Sequence, residues 1–151
     1  MNITKAIASD IPELSRLLGV LLSQEIEFSP NLEAQARGLS YIIENPEVGY
    51  IVVAKVDSKI IGMINVLFTI STALGERVAL FEDMVVSPEY RGAGVGSLII
   101  EYAISSAKQS GCKRVTLLTD RDNVSAHRFY ARHGFTQSAM IPLRLALSDD
   151  P

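Results

Sequence analysis

Three glycines fall within five positions in Arg91-Gly92-Ala93-Gly94-Val95-Gly96-Ser97. They lie between an apolar run, Phe81 to Val86, and an amphipathic stretch that begins at Val95. A buried strand, a glycine turn and a helix start, in that order, make a holder for phosphate. Glycine lets the backbone approach closely and adopt positive φ. The free N–H groups of the turn and of the first helical turn then aim donors and partial positive charge at an anion. The other side chains with reactive chemistry are the neighbouring acids Glu82 and Asp83, the pair Asn123 and Tyr130, Cys112, and the two histidines His127 and His133.

Several chemistries can be set aside. A P-loop ends its turn in Gly-Lys followed by Ser or Thr, and no Gly-Lys follows here. The dinucleotide fingerprint G-x-G-x-x-G is met at Gly92 and Gly94, but Ser97 stands in its last position and Ser87–Arg91 separates the strand from the first glycine. Asp120 would be the ribose partner in that reading, yet one crossover does not supply two nucleotide-binding halves. Cys112, between Gly111 and Lys113, falls at a helix-to-strand connection away from the glycine turn, which argues against an acyl-cysteine route. His127 and His133 are too far out of phase to share a helix face, and no third ligand is spaced for a metal site. No G-x-S-x-G nucleophile elbow occurs.

The elements that must position these residues follow from periodicity. Asn2–Ile7 reads as a strand. Ser9-Asp10-Ile11-Pro12-Glu13 has the form of a capped helix start, with Ile11, Leu14, Leu18, Leu21 and Leu22 as its buried stripe. A polar loop leads to a second helix with Leu32, Ala36, Leu39 and Ile43 on one face, ending before Asn45-Pro46. Tyr50–Val56 and Lys59–Ile70 flank the turn signal Asp57-Ser58, and Arg77–Val86 completes a meander. A helix over Gly94–Gln109 follows, with Val95, Leu98, Ile99, Tyr102, Ala103 and Ser106 on its inner face. Then come a strand over Arg114–Thr119, a helix over Asn123–His133 and two final strands within Phe135–Leu147. The expected class is a mixed α/β domain over residues 1–147 with a short tail at 148–151.

The chain has 151 residues, 48% hydrophobic and 21% charged, with a net charge of −3. That is enough for one real core, and the acidic balance argues against a nucleic-acid binder. One cysteine permits no internal disulfide, and no stretch approaches the length of a membrane span, so the expectation is a soluble cytoplasmic protein.

Two blocks carry a family resemblance. Arg91-Gly92-Ala93-Gly94-Val95-Gly96 matches the R/Q-x-x-G-x-G/A motif of the GNAT superfamily of N-acetyltransferases, and Val86-Ser87-Pro88-Glu89-Tyr90 before it is similar to that family's strand-to-loop sequence. Asn123-Val124-Ser125-Ala126-His127-Arg128-Phe129-Tyr130-Ala131-Arg132-His133-Gly134-Phe135 resembles the family's N-x-x-A-x-x-F-Y-x-x-x-G-F segment. The blocks stand in the family's order, one strand apart. The resemblance implies a GNAT-like fold, a central sheet of about seven strands flanked by four helices, with acetyl-CoA as co-substrate between two splayed parallel strands. The N-terminal helices match in position only.

On that resemblance, the pyrophosphate would rest on the backbone N–H groups of Gly92, Ala93, Gly94, Val95 and Gly96, with Arg91 in the same motif and Ser97 adding a hydroxyl. Glycine at 94 and 96 would leave space for the phosphates. The pantetheine arm would pair with the strand Met84, Val85 and Val86, chiefly at Met84 and Val86. Asn123 would cap its helix and contact the cofactor. Ala126, Phe129, Tyr130 and His133 share one helix face, and Tyr130 would be the general acid for the departing thiolate, a role worth ~10²–10⁴-fold. Glu82 is the favoured base, directly or through water, because an amine with a pKa near ~10 is mostly ammonium at neutral pH. Asp83 is the alternative, on the opposite strand face unless a bulge intervenes. Glu25 and Glu27 would border the acceptor site. The implied reaction is acetyl transfer to a primary amine, small-molecule or peptide, with homodimers common among relatives. The rival is a non-catalytic acyl-CoA sensor or interaction module on the same fold.

Overall fold

The computed structural model of the chain describes residues 1–24 and 31–148. Glu25 and Glu27 lie outside the described residues. The elements are β1 (Asn2–Lys5), α1 (Ile11–Leu22), α2 (Leu32–Glu44), β2 (Gly49–Val56), β3 (Lys59–Ser71), β4 (Glu76–Val86), α3 (Val95–Gln109), β5 (Val115–Leu117) and α4 (Val124–Arg132), with single 3-10 turns at Ala8–Asp10 and Pro88–Tyr90. The mixed α/β class and the four helices are as expected.

The strands form one sheet in the order β1-β2-β3-β4-β5. The first four are antiparallel neighbours, and β5 joins β4 in parallel after the α3 crossover. The sheet has five strands rather than about seven, because Phe135–Leu147, where two more were expected, forms none. The alternating apolar residues there have no ladder to lie in.

Both faces of the sheet are covered, so its inner strands are apolar almost throughout rather than alternating. Along β2, Val52 and Ala54 pack beneath α3, whereas Ile51 and Val53 pack against α1 and α2. Leu14, Leu17 and Leu18 carry α1 into its core, and Leu39 carries α2. Leu32 is 57% exposed despite the expected stripe. The buried face of α3 is Val95, Ile99, Ile100, Ala103, Ser106 and Ala107, turned from the expected one so that Leu98 faces out.

Local signals act as read, with one exception. Asp57 and Ser58 both take positive φ (50° and 66°), which gives the β2–β3 hairpin its tight turn. Asn123 caps α4, accepting from Ala126 N, and Asn31, not read as a cap, does the same for α2 by accepting from Ala34 N. Asp10 does not cap α1 through its side chain. It turns back to accept from Ile7 N (2.9 Å) and pairs with Lys55 (3.0 Å), tying the first turn to β2.

Candidate active site

The site begins where β4 and β5 part. They pair only over Ala79–Phe81 and Val115–Leu117, while β4 runs on to Val86 with β3 alone at its side. The backbone of β4 beyond Phe81 therefore faces an opening instead of a strand. A cavity of about 680 Å³ lies there, within the range of small-molecule clefts. Glu82, Asp83, Met84, Asn123 and Tyr130 all border it.

A bulge in β4 arranges the two acids. Asn65 of β3 stands opposite Glu82 and Met63 opposite Val85, so β4 holds one residue more than its partner. Asp83 absorbs the excess with φ 57°, a conformation that Asp and Asn tolerate better than most residues. The bulge switches faces: Ala79 and Phe81 pack towards α3, whereas Val85, also odd-numbered, packs towards α1 and α2. Strict alternation, which would have sent Glu82 and Asp83 to opposite faces, does not hold, and both carboxylates border one cavity. Glu82 is exposed. Asp83 accepts a hydrogen bond from Asn65 Nδ2 at 2.7 Å.

At the end of β4, Pro88–Tyr90 turns the chain into the glycine segment. Gly92 and Gly94 have φ 81° and 83°, the left-handed region that favours glycine, and Gly94 is the N-cap of α3. A Cβ at either would meet open space, whereas one at Gly96 would come within 3.4 Å of Met84 and Phe129. Gly92 and Gly94 thus set the turn's conformation, whereas a Cβ at Gly96 would stand at ordinary van der Waals distance from side chains of β4 and α4. The first helical bond runs from Leu98 N to Gly94 O, so the N–H groups of Val95, Gly96 and Ser97 have no intrahelical acceptor. Free donors beside open space, next to an unpaired strand edge, fit a phosphate group and the extended arm of a CoA thioester.

The neighbouring side chains brace this turn. Arg91 Nε donates to Val86 O at 3.0 Å, and Val95 buries its side chain in the core. Ser97 Oγ, expected as a phosphate donor, is shared with His133 Nε2 at 3.1 Å. Ala93 is exposed on the turn.

Ala126, Phe129, Tyr130 and His133 form the half-buried face of α4 as the spacing required. Tyr130 meets Phe129 and Phe135 edge to face, at 5.2 and 5.7 Å between ring centres. Burial among these rings pushes its phenol up to about 12. Asn123 spends its carbonyl oxygen on the helix cap. Cys112 packs against the α3-side core, and burial raises its thiol.

Asn65, Gln35, Leu21, Pro142 and Arg144 also border the cavity and were not read as site residues. Asn65 left a signal, since it is a lone amide inside the apolar run Ile60–Leu67 and is 4% exposed. The others come from elements that carry no motif and reach the cavity only by packing.

The chain matches the model of the Acetyltransferase (GNAT) family over residues 18–135. It is 27% identical to an aminoalkylphosphonate N-acetyltransferase of Salmonella typhimurium over 133 residues, 88% of this chain and 83% of that protein. It is 29% identical to the uncharacterized N-acetyltransferase YhfO of Bacillus subtilis over 140 residues, 91% of each. Its fold superposes with a TM-score of 0.81 on a crystal structure of a transcriptional regulator from Bacillus halodurans C-125, 25% identical, covering 97% of this chain and 99% of that one. With a glycine turn at the parting of two parallel strands and a family match over most of its length, the chain belongs to the GNAT acetyltransferase family.

Proposed function

We propose that this chain is an acetyl-CoA-dependent N-acetyltransferase that acts on a small primary amine by direct attack. The observation that carries the proposal is the parting of β4 from β5 beside the free N–H groups of the glycine turn. Acetyl-CoA, when bound, supplies an activated acetyl thioester.

The chain's own residues divide the remaining work. Backbone N–H groups of Gly92 to Ser97 hold the pyrophosphate, and Arg91 keeps the turn in shape by bracing Val86 O. The free edge of β4 over Met84, Val85 and Val86 aligns the pantetheine arm, and its N–H groups polarise the thioester carbonyl. Asn123 Nδ2 is left to donate towards the cofactor, since its oxygen is committed to the cap. Glu82, exposed at the cavity, takes a proton from the incoming ammonium directly or through an ordered water. Tyr130, neutral throughout the physiological range, donates to the leaving sulfur.

The cavity volume and the two acids favour a small cationic acceptor, and the relative named for aminoalkylphosphonate acetylation also takes a small amine. The single cysteine fits a reducing cytoplasm. A second reading, a non-catalytic acyl-CoA sensor, is kept in view by the regulator of the same fold. Calorimetric titration with acetyl-CoA, followed by a thiol-release screen of small amines, separates the readings. Binding with release supports the enzyme, binding with no release across a broad panel supports the sensor, and no binding by folded protein removes both.

A further inference from the structure

Asn65 Oδ1 and Gln35 Oε1 are buried without a hydrogen-bond partner in the protein, and both side chains border the cavity. Asn65 is 4% exposed and lies on β3 opposite Glu82. A carboxylate only accepts, so the Asn65 amide turns its NH2 group to Asp83 (2.7 Å), and its oxygen is left over. Gln35 comes from α2, on another wall of the same cavity. No side-chain hydrogen bond among the described residues orients its amide. Buried polar groups are nearly always paired, and one left without a partner is costly. Two of them, from two layers of the fold, point to a ligand that brings the partners.

Charge is distributed unevenly around them. Glu82 and Asp83 border the cavity beside Asn65. The residues that α1 and α2 give to the cavity include no charged side chain: Leu18, Leu21, Leu39 and Ile42 make an apolar wall in which Gln35 is the polar group. A second cation there would lose hydration with no counter-charge. A hydroxyl group has no such charge to desolvate. It also both donates and accepts, so it pairs with whichever end of the Gln35 amide is buried.

We propose that the acceptor is an amino alcohol. Its primary ammonium lies against the two acids and Asn65 Oδ1, its aliphatic spine lies on the leucines, and its hydroxyl pairs with Gln35. Asn65 and Gln35 are then specificity-determining residues. The inference rests on the reading of this cavity as the amine-acceptor site. The ammonium has three N–H groups. One proton goes to the base, and a second leaves as the amide bond forms and balances the proton taken up by the departing sulfur. The third stays on nitrogen throughout and donates to Asn65 Oδ1.

The test is calorimetric binding, with excess CoA present, of straight-chain ω-amino alcohols from propyl to hexyl, the alkylamines of equal length and the matching diamines. At one chain length the amino alcohol should bind ~10-fold or more tightly than both counterparts, because each of those leaves Gln35 badly matched. Its N,N,N-trimethyl analogue keeps the charge but has no N–H, and should bind ~10-fold or more weakly. Gln35→Met should bring the ratio of amino alcohol to alkylamine affinity close to one. Four results would overturn the proposal: equal affinities across the wild-type series, a diamine preferred at every length, full affinity of the trimethyl analogue, or a preference that survives Gln35→Met. The wild-type series decides the matter even if the variant does not fold. Thiol release from acetyl-CoA, followed with the same amines, keeps the two readings apart. Preference in binding without release would remove acetyl transfer and leave the selectivity standing, whereas release without preference would do the reverse.

Discussion

The two edges of β4 have different fates. Towards β3 the strand is laddered from Glu76 to Val86, interrupted only by the bulge at Asp83. Towards β5 it is laddered for three residues and then left open. Stability and site formation are thus divided across one strand's width. The β3 edge has its backbone groups satisfied and buried residues behind it, while the β5 edge keeps polar backbone available for a ligand. The division also explains the bulge, which re-aims the acids at the opening without breaking the ladder behind them.

The sharpest way to break this comparison is at its hinge. Phe81 is 1% exposed and is the last β4 residue paired on both sides. Phe81→Ala should cost ~3–5 kcal/mol in denaturant unfolding, as large-to-cavity changes of buried aromatics do. A cost below about 1 kcal/mol would mean that the closed segment is not what holds the strand.

The open edge is tested by charge. Ala93→Glu puts a carboxylate on the exposed turn without the backbone strain that any substitution at Gly94 incurs. It should weaken acetyl-CoA binding by ~100-fold or more in calorimetry, through loss of the favourable field at the helix start. Unchanged affinity would remove the turn from the site.

Tyr130→Phe should lower turnover by ~10²-fold while leaving cofactor affinity within a few-fold. A mutant with wild-type turnover ends the general-acid assignment. The raised phenol also makes a stability prediction. The unfolded tyrosine ionises near pH 10 and the folded one near 12, so above pH 10 the unfolded chain binds fewer protons and stability falls as pH rises. Tyr130→Phe should flatten that fall between pH 10 and 12 in chemical denaturation.

The smallest expected effect separates the acids. Glu82→Gln should reduce kcat/KM by ~10-fold or more at pH 7, with the deficit shrinking as pH approaches the amine's own pKa. Asp83→Asn keeps a residue that tolerates φ 57° and removes only charge, so it should cost less. If Asp83→Asn proves the more damaging in the same pH–rate profiles, the base is the carboxylate that Asn65 holds.

Much of this was legible in the chain because it depends on neighbours in sequence. The glycine turn, the Asn123 cap, the Asp57-Ser58 hairpin and the inner face of α4 are local events, fixed by φ preference, short hydrogen bonds and helical period. The bulge was not legible, because one extra residue in β4 appears only when β3 lies beside it. Nor was the rotated face of α3, since Ile100 and Leu98 are equally apolar and the sheet's twist decides which one it covers.

By itself, then, the sequence determined the order and type of the elements as far as α4, the turn geometry of Gly92–Ser97 and the direction of Tyr130, all consequences of short-range sterics. Only the tertiary structure decided that Glu82 and Asp83 would border one cavity, that Asn65 would hold Asp83, and that residues 135–147 would lie outside the sheet. Each of those outcomes depends on pairing between segments far apart along the chain. Such pairing is set by which edges and faces remain available once the core has closed.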